Sequence, residues 1–127
     1  MAGKSSRDPI RRTVIIADDE PSNRLLVRAT IGEDGFNVVE ASDGDEAWSL
    51  IQELRPALVL IDVRMPGRSG LEIVSAIRSD TSLAGTKVII LSASALASEM
   101  VAGADFFLTK PFSPRDLLLR IDEALLA

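Results

Sequence analysis

The chain contains neither cysteine nor histidine. Without thiols there is no disulfide framework and no thiolate metal site. Without imidazole there is no histidine base, no histidine zinc ligand and no phosphohistidine. No apolar run approaches the length that spans a bilayer. The P-loop and dinucleotide glycine patterns are both missing, so nothing points to ATP or NAD. Whatever chemistry the chain performs must come from carboxylates, hydroxyls and lysine.

What is present fits one soluble domain. The 127 residues are 46% hydrophobic and 26% charged, enough to bury a core. The net charge of -5 is uneven: residues 1–12 carry a local +3, which leaves -8 on residues 13–127. We read 1–12 as a basic, flexible N-terminal extension and 13–127 as the folded domain. An acidic body argues against direct nucleic-acid binding. The polar start lacks the apolar stretch of a signal peptide, so a cytoplasmic protein with no membrane contact is expected.

Apolar, β-branched runs recur at 13–17, 37–41, 57–61, 87–91 and 105–109. The third and fourth are continuous rather than alternating, as in strands covered on both faces of a parallel sheet. Helical spacing fills the gaps at 23–33, 45–54, 71–78, a short 96–102, and 114–126. Gly35 and Gly85 sit where helices should end, and Ser113-Pro114 reads as an N-cap followed by the first helical position. Five βα units with right-handed crossovers give an α/β, doubly wound, five-stranded parallel sheet. Order 2-1-3-4-5 is expected, because the first crossover lacks the glycines of the longer dinucleotide-binding order.

Five polar residues, Asp18, Asp19, Asp62, Ser92 and Lys110, fall at or just past the carboxyl ends of these strands, where open α/β sheets place ligands. Singly, each has a plain structural role. An acidic pair before Pro21 caps a helix, an aspartate after a buried strand caps a turn, a serine does the same, and a strand-end lysine is simply solvated. The set is another matter. Strands one and three are neighbours in the expected order, and carboxylates converging there would repel by ~4 kcal/mol per close pair unless a cation sat between them. A hard divalent metal answers that, with serine and lysine suited to an anion beside it.

Four stretches resemble the response-regulator receiver family of two-component signalling. They are Val14-Ile-Ile-Ala-Asp-Asp-Glu-Pro-Ser22, Leu58-Val-Leu-Ile-Asp-Val-Arg-Met-Pro-Gly67 with Ser69-Gly-Leu71, Ile89-Ile-Leu-Ser-Ala93, and Ala102-Gly-Ala-Asp-Phe-Phe-Leu-Thr-Lys-Pro-Phe112. The resemblance implies a flavodoxin-like fold in which Asp62 is the phosphoacceptor and Mg²⁺ is the cofactor. Asp19 would be a direct metal ligand, Asp18 would act largely through metal-bound water, and the Arg64 backbone carbonyl would join Asp62 in the ligand set. Lys110 would reach the carboxylate or a phosphoryl oxygen, across a Lys110–Pro111 bond that is typically cis in the family. Ser92 would bond the phosphoryl group. Phe107 stands where many receivers carry a switching tyrosine, and it reads equally as a core residue. The implied partners are a histidine kinase or histidine phosphotransfer protein and a downstream protein target or effector domain. Beyond its own phosphorylation and dephosphorylation, no enzymatic activity is implied.

The sequence departs from the family pattern between Ser92 and Lys110, an interval about four residues short of the usual one, close to the ~3.6 residues of one helical turn. A shortened fourth helix is therefore expected. Two other functions compete. A receiver fold acting as a phosphorylation-independent interaction module would keep the carboxylate repulsion without benefit. A phosphatase of the haloacid dehalogenase type carries its two aspartates one residue apart, whereas Asp18 and Asp19 are adjacent.

Overall fold

A computed structural model describes residues 12–32, 35–93 and 103–126. The elements run β1 (Arg12–Ala17), α1 (Pro21–Ile31), β2 (Phe36–Ala41), α2 (Gly44–Leu54), β3 (Leu58–Asp62), α3 (Gly70–Arg78), β4 (Lys87–Ser92), β5 (Phe106–Thr109) and α4 (Pro114–Leu126). A short 3₁₀ turn, Thr81–Leu83, precedes β4. All strand pairings are parallel and the order is β2-β1-β3-β4-β5, as the sequence implies.

The continuous apolar runs are explained by two cores, one on each face of the sheet. Ile15, Val59, Ile61, Val88 and Ile90 pack with α2 and α3 through Ala47, Ile51, Ile73 and Ile77. Their chain neighbours Val14, Ile16, Leu58, Leu60, Ile89 and Leu91 pack with α1 and α4 through Val27, Ile31, Leu117 and Ile121. Successive strand side chains point to opposite faces, so a strand buried on both sides must be apolar at every position.

Several expectations shift by a residue or two, for local reasons. Pro21 opens α1 two residues earlier than expected, its fixed φ suiting a first-turn position where no amide donor is needed. Arg12, assigned from sequence to the basic extension, belongs to β1 and pairs in register with Phe36. Gly85 ends no α-helix: α3 stops at Arg78, and the 3₁₀ turn, capped by Asp80, intervenes. It is Arg55, at φ 47°, that closes α2 in the left-handed region. Ser113 does cap α4, accepting a hydrogen bond from the Asp116 amide at 3.1 Å. The expected extension up to residue 11, and the expected shortened helix at 96–102, lie outside the described residues.

Candidate functional site

Register assembles the site before any side-chain contact does. Ala17 pairs with Ile61, so the next residues, Asp18 and Asp62, emerge side by side at the carboxyl end of the sheet. Asp62 pairs with Leu91 on the other side, which brings Ser92 alongside, and Ser92 pairs with Thr109, the residue before Lys110. All five residues singled out in the sequence therefore meet at one edge.

Carboxylate oxygens of Asp18, Asp19 and Asp62 lie within 4.8 Å of one another. Asp18 is completely buried, Asp62 is 8% exposed and Asp19 is exposed. Lys110 Nζ lies between the buried pair, 2.9 Å from Asp18 Oδ2 and 2.8 Å from Asp62 Oδ2. The Lys110–Pro111 bond is cis. Asp62 Oδ1 accepts a hydrogen bond from the Arg64 amide at 3.2 Å. Ser92 is buried, and with Asp19, Asp62, Arg64 and Lys110 it lines a cleft.

Burial pushes the Asp62 carboxyl above its ordinary pKa. The Lys110 bond opposes this, and the Asp18 charge reinforces it. For Lys110, burial alone would lower the pKa, but its bonds to Asp62 and Asp18 outweigh that and hold it above the usual lysine range. The ammonium is thus charged at neutral pH.

Sequence reasoning missed two supports of this site. Asn23 Nδ2 donates to Asp18 Oδ2 at 3.1 Å, and Arg24 donates to the Asp18 carbonyl at 2.7 Å while pairing with Glu40. Both residues read as ordinary first-turn helix positions, and only α1's placement beneath the β1 end reveals their role. Asp18 does not cap α1 through its second or third amide; its Oδ1 accepts from the Glu20 amide at 2.9 Å. Phe107 is 37% exposed, so here it is no core side chain. It borders a groove with Leu119 and Arg120 of α4.

A set of oxygen donors without nitrogen or sulfur suits a hard cation such as Mg²⁺, which keeps several waters and takes carboxylates one or two at a time. The exposed Asp19 is open to such an ion, while Asp18 already has three partners.

Comparison with known proteins agrees with this geometry. The family model described as the response regulator receiver domain matches residues 14–122. The DNA-binding response regulator MtrA of Mycolicibacterium smegmatis is 31% identical over 118 residues, covering 90% of this chain and 50% of that protein. The chain thus spans about half the length of such curated relatives. Among solved structures, the chemotaxis response regulator CheY4 of Vibrio cholerae superposes with a TM-score of 0.83 at 31% identity, covering 91% of this chain and 99% of that one. The response regulator TrrA of Thermotoga maritima, solved in complex with Mg²⁺ and beryllofluoride, gives 0.80 at 29% identity, covering 90% and 99%. With the family's sequence pattern matched over most of its length, and its acidic cluster assembled at the sheet's carboxyl edge, this chain belongs to the response regulator receiver family.

Proposed function

We propose that Asp62 accepts a phosphoryl group, in a Mg²⁺-dependent reaction, from a phosphohistidine on a histidine kinase or histidine phosphotransfer protein. The observation that carries this is the meeting of three carboxylates within 4.8 Å beside a lysine already bonded to Asp62. Asp62 needs no base, because a carboxylate is a competent nucleophile as it stands, and the Lys110 ammonium on its Oδ2 offsets part of the cost of burying that charge. One of its oxygens attacks phosphorus, the P–N bond breaks, and the electron pair leaves on the histidine nitrogen. Mg²⁺, when bound, neutralises charge between the carboxylates and the phosphoryl oxygens. Asp19, Asp62 and the Arg64 carbonyl would hold it directly, and Asp18 largely through water.

The chain's own contribution is placement. Lys110 holds Oδ2 of Asp62 while the Arg64 amide holds Oδ1, so the carboxylate is fixed in orientation before a donor arrives. Ser92 would bond a phosphoryl oxygen once formed, and Phe107 would change position with it. This is self-modification without turnover of a separate substrate. Dephosphorylation by water would reset it.

The change in charge at Asp62 would alter affinity for a downstream protein or effector domain. A charge of -8 over residues 13–127 favours a protein partner over direct nucleic-acid contact. No helix among the described residues is long and apolar enough to cross a membrane, in keeping with a proposed cytoplasmic site of action. The test is phosphotransfer from a phosphorylated histidine phosphotransfer domain, with and without Mg²⁺. Transfer to wild type but not to Asp62→Asn is expected. A chain that binds its partner equally well whether or not it has been offered phosphate would instead be a phosphorylation-independent interaction module.

A further inference from the structure

The loop of residues 63–69, which follows Asp62 and carries the Arg64 amide, is gripped from a direction the reaction does not explain. At its far end Gly70 packs directly under Asp62, where a Cβ would lie 2.3 Å from the Asp62 carbonyl oxygen. At its middle it is fastened to the first turn of α2. The buried Gly44 donates its amide to the Pro66 carbonyl at 2.8 Å. A Cβ on Gly44 would fall 1.7 Å from the Arg68 carbonyl oxygen and 2.7 Å from the Arg68 nitrogen. Those are backbone atoms, so no rotamer change could make room.

The same turn holds the loop by side chains. Gly67, at φ 77°, passes so close to Asp45 that a Cβ would meet its Oδ2 at 2.7 Å. Arg68 Nε lies 3.5 Å from Asp45 Oδ1, and the Arg68 guanidinium carbon sits 5.8 Å from the ring centroid of Trp48, within cation–π range.

We infer that the start of α2 is a positioning element for the Asp62 reaction: Gly44, Asp45 and Trp48 hold the loop that orients the phosphoacceptor, through Pro66 and Arg68, so events at Asp62 are transmitted to Trp48. This rests on the function proposed above. Gly44 touches no reacting atom and acts only through the loop. Anything that reorients the Arg64 backbone must either move the fastened segment or work against it.

Trp48 is the chain's single tryptophan, which makes it a direct reporter. With Mg²⁺ and beryllofluoride, whose adduct on an aspartate stands in for a phosphoryl group, wild-type Trp48 emission should change. Asp62→Asn should abolish the change, and Arg68→Ala should reduce it while leaving the unfolding midpoint near wild type. Gly44→Ala should slow phosphate uptake roughly fivefold or more and weaken Mg²⁺ binding measured without donor, because small misplacements are costly in a preorganised site. The inference is overturned if Trp48 is silent in a wild type that demonstrably takes phosphate on Asp62. It is equally overturned if a folded Gly44→Ala keeps both uptake and Mg²⁺ affinity at wild-type values. Should Gly44→Ala not fold, the Trp48 response and its reduction in Arg68→Ala decide the matter, an undiminished response in Arg68→Ala overturning the inference. A wild type that takes no phosphate at all overturns the proposed function and this inference with it.

Discussion

Asp18 and Asp62 share one cation: the Lys110 ammonium lies 2.9 Å from Oδ2 of the first and 2.8 Å from Oδ2 of the second. Lys110 thereby joins the ends of β1 and β3 to the chain just past β5. In the absence of a divalent ion it is also the internal counter-charge for two buried carboxylates.

Removing that counter-charge should destabilise the fold. Asp18 has no solvent exposure, and an uncompensated buried charge is among the more damaging defects a protein can carry. Lys110→Met should cost about 2 kcal/mol at neutral pH, below the range for a fully buried pair because Lys110 keeps some water. Urea unfolding measures it. Adding Asp18→Asn to Lys110→Met should recover part of the loss, since the repulsion between Asp18 and Asp62 is then gone.

Asp62→Asn should raise stability. Burial holds the folded-state pKa of Asp62 above its unfolded value, so ionising it disfavours the folded state. The penalty is complete above the folded pKa and disappears as pH falls below the unfolded one, near ~3.9. Denaturant curves for wild type and Asp62→Asn should therefore separate at pH 7, with the variant more stable, and converge in acid.

Glu40 shows the opposite sign. Hydrogen bonding from Arg28, opposed by slight burial and supported by Arg24, lowers its pKa. Its contribution is present above the unfolded value and is lost as pH falls through the folded one. Glu40→Gln should be less stable than wild type at pH 7, modestly so because the pair is partly solvated, and the gap should close on acidification. Raised salt should narrow it too.

Arg78 ties the last turn of α3 to the start of β5. It donates to the Gly103 carbonyl at 2.7 Å, the Thr86 carbonyl at 3.0 Å and Asp105 Oδ2 at 2.8 Å. Asp105 Oδ2 in turn accepts from the Val88 amide at 2.8 Å. Arg78→Ala should cost roughly 1–2 kcal/mol, the scale of lost hydrogen bonds at partly buried sites. Hydrogen exchange should show the loss of protection concentrated in β5.

The sheet was legible because its signal is local and repeated. Leu58-Val-Leu-Ile61 and Val88-Ile-Ile-Leu91 announce strands buried on both faces, and the polar residue closing each run marks the carboxyl edge. Asp62 and Ser92 were found that way. What escaped depends on how side chains and backbone meet after folding, whether across a turn or between separate segments. Asn23 and Arg24 become supports of Asp18 only once α1 is docked, and nothing around Gly44 hints that its missing side chain makes room for Arg68. The end of α2 at Leu54 was legible from the helical spacing, but its closing conformation was not: Arg55 adopts the left-handed region that sequence reading reserves for glycine or asparagine.

Whether Asp62 takes phosphate in a Mg²⁺-dependent reaction is read by intact-mass spectrometry after incubation with a small acyl phosphate. Wild type should gain the mass of one phosphoryl group in Mg²⁺ and none in EDTA, while Asp62→Asn should gain none in either. Equal labelling of Asp62→Asn, or no labelling of wild type in Mg²⁺, would contradict it.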